Sequence, residues 1–140
     1  MTDTVADANR RTVSEAFEAW QAGTGHPADL FAPEMTWRVE GRSQAAGDYA
    51  DRRAFVDAVL VPFARRFEGG EPLRPTAIRA VVADGDTVAV RWDGRGVASD
   101  GVPYENAYAW FLTLRDGRIV DGVAFFDDAA FDELWDRVRP

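Results

Sequence analysis

The side chains best suited to chemistry in this sequence are an arginine and an aspartate two residues apart, Arg91 and Asp93. If both pointed into an apolar interior, the carboxylate would be a candidate acid or base whose charge depended on the neighbouring guanidinium. If both pointed outward, they would form a surface or dimer-interface ion pair worth about 0 to 1 kcal/mol. We treat Arg91 and Asp93 as catalytic candidates with both orientations open.

A second set of polar groups alternates with aromatic residues further along the chain. Asn106, Tyr108 and Trp110 fall on one face of a predicted strand, because strand side chains alternate with a period of two. A face that combines apolar bulk with a few hydrogen-bonding groups is typical of a small-molecule pocket. The alternative is core polarity that neighbouring loops satisfy without a ligand.

Three more aromatic side chains are assigned to the same pocket. Trp37 and Phe126 are predicted to form its wall, although aromatic residues at strand spacing can also be plain core. Tyr49 is predicted either to cap the pocket mouth from its loop or to hold that loop in place. The only histidine, His26, lies in a loop bounded by glycine and proline and is predicted to be exposed.

The strands that must position these groups lie mostly in the second half of the chain. β-branched and aromatic content, bounded by turn residues, predicts them. The predicted strands are Met35–Glu40, Arg74–Ala83, Asp86–Val97, Tyr104–Leu114 and Arg118–Asp127.

The helices are predicted from apolar stripes at helical spacing. Residues 1–7 are predicted to be frayed, residues 41–49 to form a loop, and Pro62 to kink or break the second long helix. The predicted helices are Asp7–Gln21, a short turn at Pro27–Phe31 stopped by Pro33, Asp51–Phe67 and Asp128–Val138.

Helices followed by hairpin-connected strands predict an α+β fold with an antiparallel sheet and helices on one face. Gly94, Gly96 and Gly122 within strand patterns indicate that the sheet is strongly curved. Such a sheet, wrapped by the N-terminal helices and followed by a short C-terminal helix, makes a cone with an internal pocket. Residues 1–140 are predicted to form one domain.

Composition narrows the function. The net charge of -8, with 16 basic residues scattered among 24 acidic ones, argues against nucleic acid and anionic membranes as partners. The absence of cysteine excludes disulfides and thiolate chemistry, and a single histidine excludes a histidine-rich metal site. Neither a membrane-spanning apolar run nor a signal-peptide pattern is visible, which predicts a cytoplasmic location.

Five short stretches of the chain carry a family resemblance when they are taken together with the order of the predicted elements. They are Leu30-Phe31-Ala32-Pro33-Glu34, Gly47-Asp48-Tyr49, Tyr104-Glu105-Asn106-Ala107-Tyr108, Asp116-Gly117-Arg118-Ile119 and Phe125-Phe126-Asp127. In these features the chain resembles the nuclear transport factor 2-like superfamily, which includes ketosteroid isomerases, SnoaL-like polyketide cyclases and limonene epoxide hydrolases. The resemblance covers nearly the whole chain and implies a cystatin-like cone with a single SnoaL-like domain.

The catalytic residues of the ketosteroid isomerases are not retained. Their oxyanion-holding tyrosine falls on Ala16, their general-base aspartate on Val39 and their second oxyanion acid near Trp110. Apolar groups cannot replace a base and two hydrogen-bond donors in proton abstraction at carbon. The resemblance therefore argues against ketosteroid isomerisation.

The limonene epoxide hydrolases are a closer match over the strands. Their Arg-x-Asp pair corresponds to Arg91 and Asp93, but their second aspartate falls on Ala124, their tyrosine on Trp37 and their asparagine on Val39. Two of the five functional residues are kept, so the hydrolase mechanism is predicted to be lost or replaced by chemistry using other groups.

Three functions remain open. The first prediction is a cofactor-independent enzyme that isomerises, cyclises or opens the epoxide of a small apolar or amphipathic molecule, with no metal and no cofactor. The second is a binding module that uses the same pocket without turnover. The third is an interaction domain that forms a homodimer through the sheet face bearing Ala107, Ala109 and Phe111.

Overall fold

A computed structural model describes residues 3–140. Helix α2 changes its winding along its length: it is α-helical at Arg52–Phe55, π-helical at Val56–Leu60 and α-helical again at Val61–Arg65. The other elements are helix α1 (Val5–Ala22), a 3-10 turn (Pro27–Leu30), strands β1 (Phe31–Val39), β2 (Gly47–Tyr49), β3 (Glu71–Asp84), β4 (Thr87–Val97), β5 (Pro103–Arg115) and β6 (Arg118–Phe126), and helix α3 (Asp128–Arg137).

The six strands form one curved open sheet in the order β2-β1-β6-β5-β4-β3. This confirms the predicted α+β class. Neighbouring strands are antiparallel except for β1 and β6, which are parallel. A parallel pair needs a long crossover between its strands, and here α2 and the four strands β2 to β5 lie between them in the chain.

The inner face of the sheet carries the apolar core. Along β4, Val88, Val90 and Trp92 are buried, and along β5 every second residue from Tyr104 to Leu114 is buried. The predicted inward face of the middle strand is therefore confirmed. Helix α1 covers this face with a buried stripe that includes Phe17.

Helix α1 starts two residues earlier than predicted. The Thr4 hydroxyl accepts a hydrogen bond from the Asp7 amide, and the Asp7 carboxylate accepts one from the Thr4 amide, so the two residues form a capping box. Residues 4–7 are therefore ordered rather than frayed, whereas Met1 and Thr2 lie outside the described residues. Gly23 ends the helix with a φ of 78°, the left-handed cap that glycine adopts without strain.

Two predictions in the N-terminal half are wrong. Strand β1 begins at Phe31 instead of Met35, and Pro33 lies in an irregular stretch of it between the registered pairs of Phe31 and Thr36. The predicted loop at residues 41–49 contains β2, in which Tyr49 pairs with Trp37 of β1. A three-residue strand depends on its partner for its hydrogen bonds, so its own sequence gives little signal.

Helix α2 continues through Pro62 instead of breaking there. The Val61 amide donates to the Val56 carbonyl, five residues back, and thus widens the turn that precedes the proline. A proline ring clashes with the carbonyl four residues before it in an α-helix, and the π turn gives that ring room. The bulge also turns Val56, Val59 and Leu60 toward the interior of the cone.

A buried arginine joins the end of α2 to the end of α3. The Arg66 side chain is only 6% exposed, donates to the carbonyls of Pro62 and Trp135, and lies 3.7 Å from the centroid of the Trp135 ring. Its own carbonyl accepts bonds from the backbone and hydroxyl of Ser99 in the β4–β5 hairpin. Three separate parts of the chain therefore meet at Arg66.

Replacing Arg66 with methionine should lower the free energy of unfolding by about 3 kcal/mol, because two buried carbonyls lose their donors and the cation–π contact is lost. Arg65→Met is the matched control: Arg65 is exposed, so its loss should cost less than about 0.5 kcal/mol. Urea denaturation of both variants measures the difference. Equal stability of the two variants would show that the contacts of Arg66 with α3 and the β4–β5 hairpin do not stabilise the fold.

Candidate functional site

The inner face of the sheet and helices α1 and α2 surround a cavity of about 420 Å³. Its lining is almost entirely apolar and aromatic, which suits a small hydrophobic molecule. Among the lining residues are Trp37, Tyr108, Trp110 and Phe126 from the sheet, Trp20 from α1 and Val59 from the π turn.

The aromatic wall is organised around Trp110. The rings of Trp37 and Trp92 stand nearly perpendicular to it, with centroids 5.1 Å and 5.4 Å away, and Phe17 meets it edge-on at 5.5 Å. Edge-to-face contacts place the electropositive ring edge against the electron-rich face of the neighbouring ring. The indole nitrogens of Trp37 and Trp92 are buried without a hydrogen-bond partner, so they are enclosed in this wall and not open to the cavity.

Asn106 is a structural residue. Its side-chain amide donates to the Tyr104 hydroxyl at 2.8 Å and to the Asp127 carbonyl at 3.1 Å, and its oxygen accepts from the Ala107 and Asp127 amides. All of its hydrogen-bonding capacity is therefore used. Asn106 therefore fits the alternative given in the sequence analysis, a polar core residue whose hydrogen bonds are satisfied without a ligand. It does not line the cavity.

Tyr108 stands at the end of the same hydrogen-bonded chain. Its hydroxyl lies 2.8 Å from the Tyr104 hydroxyl, and its ring stacks on Trp92 with centroids 4.1 Å apart. Burial raises the pKa of Tyr108 well above its usual value, so the phenol is neutral at physiological pH. If Tyr104 donates to Tyr108, the Tyr108 proton is left for an acceptor in the cavity.

His26 lines the cavity next to Trp20, with ring centroids 4.4 Å apart. It is half-buried rather than exposed, which corrects the sequence prediction. Its Nδ1 accepts a hydrogen bond from the Ala28 amide at 2.9 Å and so caps the 3-10 turn. Burial lowers the pKa of His26 to about 4, and the nearby Asp29 carboxylate opposes that shift only in part.

This pKa predicts a pH dependence of stability. Between about pH 6.5 and pH 4 the unfolded chain binds a proton at His26 that the folded chain does not, so the stability present above pH 6.5 is lost as the pH falls. On going from pH 7 to pH 4.5, the native protein should lose about 2 kcal/mol more than His26→Asn, which keeps a capping oxygen but cannot titrate.

Urea denaturation of both proteins at the two pH values measures this difference. The carboxylates that also titrate in this range are common to both proteins, so their contribution cancels. An equal loss of stability in the two proteins would show that His26 is not buried in its neutral form.

The structure places Arg91 and Asp93 on the outer face of the sheet, away from the cavity. The inward positions of β4 are Val90, Trp92 and Gly94, and the two candidates lie between them. Asp93 pairs with Arg79 of β3, with oxygen and nitrogen 2.7 Å apart, and its side chain is 31% exposed. The hypothesis that Arg91 and Asp93 face the cavity is therefore wrong. Both side chains take the other orientation considered in the sequence analysis and point away from the interior.

Four of the six predicted pocket residues line the cavity: Trp37, Tyr108, Trp110 and Phe126. Tyr49 does not, because its hydroxyl donates to the Ala45 carbonyl at 2.6 Å and holds the loop before β2 in place. Sequence reasoning missed Trp20 and Trp92 as lining residues. Their positions in an apolar helix stripe and on the apolar side of β4 were the available signals.

Two features are absent from residues 3–140, the part of the chain that the structure describes. No group of three histidine, cysteine or carboxylate side chains is arranged to hold a metal ion in this part of the chain. None of the helices described is long and apolar enough to cross a membrane.

Comparison with known proteins gives a family and a fold. The family model described as "SnoaL-like domain" matches residues 13–122. No curated protein matches the chain. Bal32a from a soil-derived mobile gene cassette is 24% identical with a TM-score of 0.72, and the match covers 94% of this chain and 99% of that one.

Two other solved structures carry functional descriptions. A protein of Jannaschia sp. CCS1, provisionally described as a SnoaL-like polyketide cyclase, is 19% identical with a TM-score of 0.70 over 96% of this chain and 95% of that one. A protein of Xanthomonas campestris pv. campestris, provisionally described as a polyketide cyclase, is 17% identical with a TM-score of 0.68. The match covers 94% of this chain and 99% of that one. At these identities the structures show that the fold is shared.

Proposed function

Because the chain belongs to the SnoaL-like domain family, we propose that it is a small-molecule-pocket protein that takes up an apolar or amphipathic molecule in its cavity. The observation that carries this proposal is the cavity of about 420 Å³ with apolar and aromatic walls. Burial of an apolar ligand there is favourable at roughly 25 cal/mol for each Å² removed from water.

Uptake without turnover is the function that the geometry supports best. By the resemblance to limonene epoxide hydrolases, the second aspartate, the tyrosine and the asparagine of that family fall on Ala124, Trp37 and Val39, and all three of these residues line the cavity. Within the described chain, no aspartate, glutamate, lysine or arginine is among the lining residues. A charged acid or base is therefore not available to a bound molecule.

Calorimetric titration with fluorene, a rigid apolar probe, tests uptake. We expect saturable binding of one molecule per chain with a negative heat-capacity change, which marks the burial of apolar surface. Absence of saturable binding by fluorene and by its ketone, 9-fluorenone, would contradict the proposal.

A cofactor-independent isomerase, cyclase or hydrolase is the second candidate. Two observations favour it: His26 and Tyr108 bring hydrogen-bonding groups to an otherwise apolar cavity, and two similar structures are provisional polyketide cyclases. Neutral donors can polarise a carbonyl, and a shaped cavity can hold a flexible chain in a reactive conformation.

Hydrogen–deuterium exchange at carbon 1 of 2-tetralone, followed by NMR in D₂O, separates these two candidates. A protein that enolises carbonyl compounds should accelerate the exchange in proportion to its concentration, and a variant with a filled cavity should not. Binding of 2-tetralone without accelerated exchange favours uptake alone.

The outer face of the sheet supports a further proposal, that two copies of the chain pair through it. Phe111 and Phe125 are 44% and 46% exposed on neighbouring strands, with ring centroids 5.9 Å apart. Ala107 and Ala109 extend the same face along β5. Exposed apolar side chains that adjoin one another are typical of interaction surfaces.

Replacing Phe111 with aspartate should convert a dimer at micromolar concentration into a monomer, because the charge would be buried in the interface without a partner. Val5→Asp is the control, since Val5 is 62% exposed at the start of α1, which lies on the other side of the sheet. Sedimentation velocity of both variants and of the native protein measures the oligomeric state. A native protein that sediments as a monomer would contradict the proposal.

A further inference from the structure

His26 has one ring nitrogen that the fold uses and one that it does not. Nδ1 accepts the Ala28 amide, as described above. Nε2 makes no hydrogen bond within residues 3–140, although the ring packs against Trp20 in the cavity lining. The ring is held by its cap and by its tilted packing against Trp20, with the two ring planes at 53°, so the direction of the free nitrogen is fixed.

The cap also determines which nitrogen carries the proton. A neutral imidazole has one protonated nitrogen and one acceptor nitrogen, and Nδ1 acts here as the acceptor. The proton is therefore on Nε2, and the free nitrogen is a donor. For His26 to accept a proton from a ligand, Nδ1 would have to give up the Ala28 amide, so the ring is not suited to act as a base.

Among the described lining residues, one other side chain, Tyr108, could compete for this role. The Trp20 indole nitrogen donates to the Leu73 carbonyl at 2.9 Å and is occupied. The Tyr108 hydroxyl is the remaining side-chain group with a free proton, provided that Tyr104 donates to it. The lining of the described chain thus offers neutral donors and no charged side chain.

We propose that His26 is the specificity-determining residue of the cavity, and that its Nε2–H donates to an uncharged acceptor oxygen, such as a ketone or ester carbonyl, on a mainly apolar ligand. This inference rests on the proposed uptake of a small molecule. A ligand that presents an ammonium group at this position finds no acceptor on the ring and is disfavoured, because an ammonium group can only donate.

Fluorene and 9-fluorenone test the inference, because they share a rigid ring system and differ in one carbonyl. The native protein should bind 9-fluorenone about tenfold more tightly than fluorene, the free-energy difference of one neutral hydrogen bond. His26→Phe keeps a ring against Trp20 but lacks the donor. In this variant the ratio of the 9-fluorenone affinity to the fluorene affinity should fall to about one, and the affinity for fluorene should be nearly unchanged.

Two more variants separate specificity from structural damage. His26→Asn keeps the capping oxygen but is too short to place a donor where Nε2 lies, so it should also lose the preference. Tyr108→Phe should keep it. If the preference persists in both His26 variants, or disappears in Tyr108→Phe alone, the inference is overturned while uptake stands. If neither probe binds the native protein, uptake itself fails.

The single histidine allows a direct spectroscopic check. In tag-free protein with ¹⁵N-labelled histidine, long-range proton–nitrogen NMR at pH 7 should show a protonated Nε2 and an unprotonated Nδ1. Addition of 9-fluorenone should shift the Nε2 resonance, and fluorene should shift it much less. A proton on Nδ1, or equal shifts with the two probes, would overturn the inference.

Discussion

The Ala124→Trp variant should remain folded and should bind fluorene at least about 100-fold more weakly than the native protein, because a side chain of the protein occupies the space of the ligand. Ala124 is buried, lines the cavity and pairs with Val39 on one side and Trp110 on the other. Its methyl group is therefore in the middle of the inner face. The added indole extends into existing space, and urea denaturation should show a stability change of no more than about 1 to 2 kcal/mol.

Val123→Trp is the matched control for this prediction. Val123 is the preceding residue of β6 and lies on the outer face, so the same side chain is added without entering the cavity. Calorimetry should give fluorene an affinity close to that of the native protein. Equal affinities of the Ala124 and Val123 variants would mean that fluorene binds elsewhere.

The Gly122→Ala variant should lower the free energy of unfolding by about 3 kcal/mol, a large effect for one methyl group. A Cβ atom at Gly122 would overlap Cζ3 and Cε3 of the Trp37 ring. That ring cannot move aside easily, because it stacks on Phe55 at 4.7 Å and meets Trp110 edge-on. Gly122 has no positive φ, so the cost arises from packing and not from backbone strain.

A double-mutant cycle isolates this contact. Trp37→Leu removes the ring that the new methyl group would meet, so in that background Gly122→Ala should cost less than about 1 kcal/mol. Urea denaturation of the four proteins gives the coupling energy. If Gly122→Ala costs the same in both backgrounds, the close approach of Trp37 to the β6 backbone is not the reason for the glycine.

The two-residue alternation of strand side chains predicted which residues of a strand share a face. Alternation along β5 placed Tyr108 and Trp110 on the inner face, because a strand with one buried face fixes the side of every residue. The same rule showed that Arg91 and Asp93 share a face but not which face it is. The structure decides it, because the burial of Trp92 on the inner face leaves the residues on either side of it facing outward.

The remaining parts of the site depend on contacts that are distant in the sequence. His26 belongs to the cavity only because the turn after α1 packs it against Trp20 and gives its Nδ1 an amide partner. The π turn of α2 results from the way the helix accommodates Pro62 over the core, which helical propensity alone does not reveal. Hydrogen bonds likewise decided the roles of Asn106 and Tyr49, which the fold uses internally.

The central claim is that the cavity takes up an apolar ligand whose carbonyl accepts a hydrogen bond from His26. A crystal soaked with 2-bromo-9-fluorenone would test it most directly, because the anomalous signal of bromine distinguishes the probe from the light atoms of the protein. We predict a bromine peak inside the cavity between α1, α2 and the inner face of the sheet, with the ketone oxygen about 2.7 to 3.2 Å from Nε2 of His26. A peak confined to the outer face of the sheet or to contacts between molecules, with no probe in the cavity, would contradict the claim.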